Sequence, residues 1–437
     1  MVKTKRKAKK KKPRLEVPYV IDRYLDRIEK VEICADTLLP VATKTEQRKI
    51  RELEKQLEEL VRFVKIEKKE KIIIENERKF FSFIGKLEKF KSISQEEILI
   101  NSLFLTLFST FDAYIGDLLR CLYQNKKELI NSIDYSLSTE EIMKCKSIEQ
   151  LKKIIIERDL DKLRRESYHE QFKILENKFG VVLRKYQNWP SFVECSQRRN
   201  IITHCDGIVS EQYISVCKKE GYDFKNNIKI GDKLTVDSNY FHNSIFLFNE
   251  VGFKLGQVLW RKIFHDFLAE ADIHMILYSY NLLHAEKWKL VKNIGEFGLN
   301  LPRMSNDENR KMLNVNYAQA FKWSGDNSRA NKIIKKLDWS SCKDEFKLAV
   351  CIIKDDFKNA RTHMISIGEK GKMIQKQDYH DWPLFREFRK STEFLTTYNK
   401  IYKKDFGDEV KEQIKDEPKK KEDEKKKTNE TIKKDTA

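Results

Sequence analysis

Arg199, Asn200 and His204 have types and a spacing suited to acid–base chemistry on a phosphodiester. A histidine that titrates near neutral pH can move the proton of a ribose 2′-hydroxyl or of a leaving 5′-oxygen. A guanidinium can hold a phosphate by two parallel hydrogen bonds and stabilise its developing charge. An amide can orient the imidazole or bind a phosphate oxygen. These residue types suit RNA cleavage without a metal.

The stretch from Ser191 to Val209 is predicted to form the helix that carries these residues. Pro190 suits a first helical turn, and Ser191 and Glu194 have the spacing of a capping box. Gly207 is where a left-handed C-terminal cap would lie. The sequence therefore places the candidate site near the C-terminal end of one helix.

Helical geometry separates the candidate residues into two groups. Asn200 and His204 lie one turn apart on the same face, whereas Arg199 lies about 140° from His204 around the helix. Arg199 therefore meets His204 only through its long side chain or across a partner subunit. Arginines near a helix C-terminus are also favoured electrostatically, so the spacing leaves a structural role open.

The run RRNIITHCDGIVSEQYI, which begins at Arg198, resembles the signature of HEPN-superfamily ribonucleases. That motif is Arg-x(4–6)-His and most often begins Arg-Asn, so Arg199, Asn200 and His204 fall on its positions. Arg198 matches the doubled arginine of some branches, and the later KIGDKLTV stretch also looks like one such branch. Cys205 stands where many relatives carry Asn. The resemblance covers roughly residues 46 to 266.

The resemblance implies an endoribonuclease that acts as a homodimer, with motif helices from two subunits forming one site. The 2′-hydroxyl would attack the adjacent phosphodiester and leave a 2′,3′-cyclic phosphate and a 5′-hydroxyl. His204 would be the acid/base, Arg199 the phosphate clamp, and Asn200 an orienting group, with no metal or other cofactor. Host or phage RNA, with transfer RNA among the candidates, would be the substrate of a bacterial toxin or antiviral defence protein.

Asp112, in LFSTFDAYIGDLL, is the best match to an acidic residue that an earlier helix often supplies to such sites. It interrupts a broad apolar face, and a buried carboxylate needs a partner. Arg199 or His204 would satisfy that need and draw Asp112 to the site as an orienting group. In the alternative interpretation, Asp112 lies on the solvent-exposed edge of its helix.

The charge of the chain favours a polyanionic partner. The formal net charge is +19 and the pI is near 9.3, which suits RNA first but does not distinguish RNA from DNA or an acidic membrane. The N-terminal run MVKTKRKAKKKKPR contains Lys10 and Lys11, which with Arg198 are candidate RNA contacts. The same run would also serve as a solubilising tail, or as a nuclear address in a eukaryotic host.

Cysteine spacing and hydropathy indicate where in the cell the protein is located. The 8 cysteines have irregular spacing without a C-x2-C pair, which argues against zinc and favours a reduced, cytoplasmic location. We expect no membrane association, because no apolar run reaches membrane-spanning length and no hydrophobic segment follows the basic N-terminus.

Scarce glycine (14) and proline (7) favour an all-α fold. Four segments are predicted: 1–45, basic and flexible; 46–266, a HEPN-like helical bundle; 267–407, a tetratricopeptide-like helical array; and 408–437, a disordered charged tail. Within the bundle, Ile228–Val236 alternates around Gly-Asp and predicts a small β-hairpin. The run EKKEKIIIENERK is expected to continue or restart the preceding helix.

The array is predicted from an internal repeat in the second half. Residues 323–330 align with residues 353–360, thirty positions later, with small residues and turns at matching places. The stretch NVNYAQAFKWSGDNSRANKIIKKL looks like a tetratricopeptide-type repeat, and DWPLFREFRKSTEF resembles a closing segment of such arrays. An array of this kind would offer a concave surface to a protein or peptide ligand. The alternative is a helical domain that only packs on the first.

Two other classes of function stay open. The bundle would act as a non-catalytic RNA-binding or regulatory module if its motif only binds phosphate. The chain would act as an interaction scaffold if the repeats carry its function.

Overall fold

The computed structural model of the chain describes residues 16–66, 69–74, 76–92, 94–133, 136–224 and 228–409. The chain divides into two compact units, Met1–Asp266 and Phe267–Ala437. Helices dominate the described part of both units, which confirms the all-α prediction.

The first unit is a bundle built around three long helices. Its elements are α1 (Val17–Glu58), β1 (Val61–Ile66), β2 (Lys69–Ile74), α2 (Glu77–Ser92), α3 (Gln95–Asn125), α4 (Thr139–Lys144), α5 (Ile148–Arg164), α6 (Tyr168–Phe179), α7 (Trp189–Cys205), α8 (Glu211–Lys219) and α9 (Ser238–Ile263). Helices α1, α3 and α9 pack against one another, and α7 packs on α3 and α9. The candidate motif therefore lies on a helix that is docked against the centre of the bundle.

The prediction of a flexible segment over residues 1–45 is wrong from Val17 onward. Helix α1 begins there and buries nine apolar side chains at steps of one, three or four residues. This periodicity forms one apolar face that packs against α3 and α9, so the segment belongs to the core. The preceding residues 1–15, with Lys10 and Lys11, lie outside the described residues.

Two glycines of α9 allow α1 and α3 to approach closely. A Cβ atom at Gly252 would lie 2.2 Å from the Tyr24 ring, and one at Gly256 would lie 2.5 Å from the Tyr114 hydroxyl. Tyr24 and Tyr114 stack with centroids 4.2 Å apart and donate hydrogen bonds to α9 carbonyls. The glycines thus let two buried tyrosines satisfy their hydroxyls inside the core.

We expected no apolar run of membrane-spanning length. Residues 77–125 are nevertheless long and apolar enough to cross a membrane, judged by length and composition alone. The structure provides another use for this apolar content. Helix α3 buries thirteen residues and packs against α1, α5, α7 and α9. The composition is that of a central bundle helix.

The β-hairpin forms at a different place in the chain from the one predicted. The strands β1 and β2 pair antiparallel, Val61 with Ile74 and Ile66 with Lys69, where a helix was expected. The β-branched residues of this stretch favour extended backbone. The hairpin predicted at Ile228–Val236 does not form, because this stretch pairs with residues 207–209 instead. Residues 225–227, just before it, lie outside the described residues.

The second unit consists of short helices arranged largely as hairpins. They are α10 (Leu268–His284), α11 (Trp288–Leu299), α12 (Asp307–Trp323), α13 (Asn327–Lys335), α14 (Asp344–Ile353), α15 (Phe357–Ile367), α16 (Lys376–Asp381) and α17 (Thr392–Tyr402). Helix α12 packs against α10, α11, α13 and α14, so the hairpins stack in chain order.

Three of the hairpins share one turn geometry. Glu286, Gly325 and Asp355 have φ values of 53°, 91° and 59°, in the left-handed region. In each turn the next residue donates its backbone N–H to the carbonyl five positions earlier, over 2.9 Å. Ala330 and Ala360, equivalent in the aligned repeat, are both fully buried. The repeat seen in the sequence is therefore a repeat of structure.

The predicted tail begins later than residue 408. Glu409 is 7% exposed, and its carboxylate accepts hydrogen bonds from Lys376 and from the Tyr398 hydroxyl, each over 2.7 Å. Burial of this carboxylate with two partners attaches residues 408–409 to the second unit. The remaining tail residues lie outside the described residues.

We predict that Gly252→Ala destabilises the first unit by about 1–3 kcal/mol, because the added methyl group overlaps the Tyr24 ring. Gly85→Ala is the matched control, since a Cβ there meets nothing within 4 Å and should stabilise helix α2 by about 0.5–1 kcal/mol. Urea unfolding followed by circular dichroism measures both. Equal stability of the two variants would contradict the close approach.

Candidate functional site

Helix α7 begins two residues earlier than predicted and without the expected capping box. Its N-cap is Asn188, which makes no side-chain cap bond, and Pro190 occupies the first turn. Trp189 and Phe192 pack against Phe172 of α6, with ring centroids 4.8 and 6.0 Å from it. Aromatic packing therefore anchors the start of the helix.

Glu194 is a buried ion-pair partner, not a capping residue. It is 2% exposed, and its carboxylate accepts hydrogen bonds from Tyr213 of α8 (2.5 Å) and Tyr240 of α9 (2.7 Å). Arg198, one turn later, donates from Nε to the same carboxylate over 2.8 Å. The partners that this buried charge requires thus come from three helices, α7, α8 and α9.

The structure corrects the role of Arg198. Its side chain is 12% exposed, its guanidinium lies 3.9 Å from the Tyr240 ring centroid, and Nη1 donates to the Thr235 carbonyl over 3.0 Å. Burial by itself lowers the pKa of Arg198, but its interactions with Tyr240, Glu194 and Tyr213 outweigh burial and raise that pKa overall. The side chain predicted to contact RNA is therefore engaged inside the protein.

The C-terminal end of α7 is fixed by the loop that was expected to form a hairpin. Asp206 and Gly207 have φ values of 48° and 79°, and Gly207 donates to the Ile201 carbonyl over 3.0 Å. Leu234 donates to the Gly207 carbonyl over 2.9 Å, and a Cβ atom at Gly207 would lie 2.4 Å from the Leu234 oxygen. Only glycine fits there, so the left-handed ending predicted at Gly207 is confirmed, with Asp206 as the first left-handed residue.

This ending leaves His204 on the surface. His204 is exposed and Asn200 is half-buried, one turn apart on α7. Neither side chain makes a hydrogen bond or ion pair within the part of the chain that the structure describes. The imidazole is thus accessible to a bound molecule.

Arg199 faces the opposite direction, towards α3. Its guanidinium carbon lies 5.2 Å from the Phe108 ring centroid, and its Nε is buried with no hydrogen-bond partner among the described residues. Asp112 is nearby on the next turn of α3 and accepts a 2.6 Å hydrogen bond from the Tyr168 hydroxyl of α6. The structure therefore brings Arg199 and Asp112 together, with Tyr168 as an additional member of the cluster.

Burial and charge act in opposite directions on Asp112. Burial raises the pKa of this carboxyl, while the Tyr168 hydroxyl and the guanidinium groups of Arg199 and Arg164 lower it, and burial is the stronger effect. Burial likewise raises the pKa of Tyr168 well above its ordinary value. Asp112 is half-buried among α3, α6 and α7, and its role at a functional site stays a prediction.

The predicted residues thus form two groups. Asn200 and His204 share the outer face of α7, whereas Arg199 and Asp112 lie on its inner side. Arg199 and His204 form no hydrogen bond with each other among the described residues. Tyr168 and Arg164 were missed, since no local pattern distinguishes them from other residues of a charged helix. Only the spacing of Tyr168 before buried Phe172 and Leu175 indicated that it faces the core.

Within the described residues, no cluster of three or more His, Cys, Asp or Glu side chains has an arrangement that could hold a metal ion. Comparisons of the chain with protein-family models, curated proteins and solved structures found no match. Any function proposed for the site therefore depends on its own residues.

We predict that the contribution of Asp112 to the stability of the first unit decreases as pH rises. Because the folded pKa lies above the ordinary 3.8, the stabilisation by this group is present below that value and is lost as pH rises through the folded pKa. Asp112→Asn removes this loss, so the stability of the variant relative to wild type should increase between about pH 3 and pH 7. Urea unfolding at a series of pH values measures the difference.

Glu176→Gln is the control of opposite sign. Burial would raise the pKa of Glu176, but hydrogen bonds from the backbone of Leu183 and Arg184 and from the Arg184 guanidinium lower it overall. Its stabilisation is present above the ordinary pKa and is lost on acidification, so the relative stability of Glu176→Gln should decrease as pH rises. The same trend in both variants would contradict the assignment of Asp112.

Proposed function

We propose that the chain is a metal-independent endoribonuclease whose HEPN-like first unit cleaves RNA at the C-terminal end of α7. The observation that carries the proposal is the exposed imidazole of His204, which has no protein partner among the described residues and lies one turn from the Asn200 amide. A general acid/base requires such access to its substrate.

The proposed reaction uses the RNA as its own nucleophile. His204 accepts the proton of a ribose 2′-hydroxyl while that oxygen attacks the adjacent phosphorus. The same imidazole, now protonated, donates a proton to the 5′-oxygen as it leaves. The products are a 2′,3′-cyclic phosphate and a 5′-hydroxyl. A guanidinium stabilises the charge of the pentacoordinate phosphorane, which is the role proposed for Arg199. Asn200 orients His204 or the phosphate.

The orientation of Arg199 supports a site shared between two copies of the chain. Within one chain Arg199 faces Phe108 and Asp112, whereas His204 faces solvent. A homodimer in which two α7 ends meet would supply the two groups to one phosphate from different subunits. Asp112 and Tyr168 act in this proposal as positioning residues for the guanidinium.

The first test is cleavage of total RNA in EDTA by the purified full-length chain. We expect His204→Ala to lower the cleavage rate at least about 100-fold, because it removes the general acid/base. His265→Ala is the matched control, since His265 is also exposed but lies outside α7, and it should retain the wild-type rate. Mapping of the 5′-hydroxyl ends identifies the cleaved RNA. Undiminished cleavage by His204→Ala would exclude this site.

The second test is subunit exchange between Arg199→Ala and His204→Ala chains. Each homodimer should be inactive, whereas a shared site predicts one intact site in every heterodimer. Random exchange at equal concentrations then restores about a quarter of the wild-type activity, since half of the dimers are mixed and half of their sites are intact. Native mass spectrometry verifies that heterodimers have formed. Formation of heterodimers without recovered activity would contradict the shared site.

A non-catalytic RNA-binding module is the second candidate function, and the separation of Arg199 from His204 within one chain favours it. Such a module would bind RNA with an affinity that decreases with salt, and the wild-type chain would produce no cleavage ends.

The second unit is proposed to bind a protein or peptide in either case, because its hairpins stack in chain order. Toxicity in cells without RNA products would favour the scaffold function. A toxin or defence role in the cytoplasm follows only if cleavage is observed.

A further inference from the structure

The second unit contains a pocket that the nuclease proposal does not use. Its volume is about 360 Å³, and it is lined by side chains of α10, α12 and α14 and of residues 373–382. These three helices are the first members of the three hairpins with matching turns. The stacking of the repeat therefore aligns them along one surface, and residues 373–382 form the remaining wall of the pocket.

The walls of the pocket are mainly apolar and aromatic. Tyr280 and Trp382 line it with ring centroids 6.0 Å apart, together with Met312 and Met373. Leu277 lines the pocket and is 55% exposed, and Ile273, one turn earlier on α10, is 47% exposed. Apolar surface thus extends from the pocket to the outside of α10, which suits a ligand longer than a single side chain.

The charged groups that line the pocket are both acidic, Glu345 and Asp378. The carboxylate of Glu345 makes no hydrogen bond or ion pair with the part of the chain that the structure describes, and Asp378 accepts one from the backbone N–H of Gln375. Arg389 lies close to Tyr280, but its guanidinium donates to the carbonyls of Tyr379 and Trp382. Although the chain has a net charge of +19, the charged groups that line this pocket are acidic, which favours a cationic ligand electrostatically.

The pocket thus combines apolar walls, aromatic faces and two carboxylates. Aromatic faces and carboxylates both attract cations.

We propose that this pocket binds a peptide segment of a partner protein in which a bulky apolar residue is adjacent to a lysine or arginine. The apolar residue fills the space next to Ala349, and the cationic side chain lies between Tyr280 and the carboxylates of Glu345 and Asp378. The inference does not depend on ribonuclease activity, because it concerns binding to the second unit alone.

The test begins with random twelve-residue peptides displayed on phage and selected on the immobilised full-length chain. The expected result is enrichment of sequences with Leu, Ile, Met or Phe within two positions of Lys or Arg. The same selection on Ala349→Phe, in which the added ring fills the pocket, should lose that enrichment. Thermal unfolding verifies that this variant is folded. Enrichment of acidic sequences, or no enrichment on the wild-type chain, would overturn the proposal.

Affinity measurements then test the acidic residues separately. Fluorescence anisotropy of a labelled enriched peptide should give a Kd that increases with salt and that rises about three- to tenfold in Glu345→Gln. Glu296→Gln is the matched control, because Glu296 is exposed on α11 and does not line the pocket, and it should bind as wild type. Equal weakening in both variants would contradict the assigned site.

Competition distinguishes a partner protein from the basic tails of the chain itself. Synthetic peptides of residues 1–15 and 410–437 should displace the labelled peptide less effectively than unlabelled enriched sequences. Displacement by a tail peptide at a lower concentration than by any enriched sequence would identify the chain itself as the occupant and reject a separate partner.

Discussion

The pairing of Glu194 with Arg198 is the interaction on which the candidate site depends. A carboxylate in the interior of a helical bundle is stable only if its charge and lone pairs are satisfied, and here Arg198, Tyr213 and Tyr240 satisfy them. These partners come from α7, α8 and α9, so this buried charge, together with the packing of Trp189 and Phe192, orients α7 in the bundle. Loss of a partner would leave an uncompensated charge in the core.

That rotation decides which motif residues reach solvent. With Glu194 and Arg198 facing α8 and α9, Arg199 is directed towards Phe108 and Asp112, and His204 lies at the exposed end of the helix. The turn through Asp206 and Gly207, held by Leu234, ends the helix directly after the histidine. Each feature is explained by packing, and together they leave an imidazole available for chemistry and a guanidinium whose Nε has no partner among the described residues.

The second unit illustrates how a local repeat produces a surface. In three turns a left-handed residue at the same place reverses the backbone, so that the second helix of each hairpin runs back along the first. Small buried residues such as Ala330 and Ala360 then allow neighbouring helices to pack closely. The pocket between the first helices follows from this stacking, and its two charged lining residues, Glu345 and Asp378, are both acidic.

Local patterns were sufficient for much of the helical fold. The broad apolar face of α3 and the left-handed ending at Gly207 are both predicted correctly from sequence, because each depends on residues within a few turns. The segment 1–45 was predicted to be flexible from its lysine-rich start, whereas the apolar face that begins at Val17 packs against α3 and α9. The loop at residues 228–236 was misjudged because its hydrogen-bond partners, residues 207–209, are distant in sequence.

The amino-acid sequence by itself determined that Asn200 and His204 share a helical face and that a left-handed turn follows them, since helical geometry and glycine conformation are local properties. Tertiary structure alone decided that Glu194 is a buried ion-pair partner, that Arg198 is occupied inside the protein, and that Tyr168 lies between α3 and α7 beside Asp112. Those outcomes depend on desolvation and on partners from other helices, and neither is encoded in the spacing of one segment.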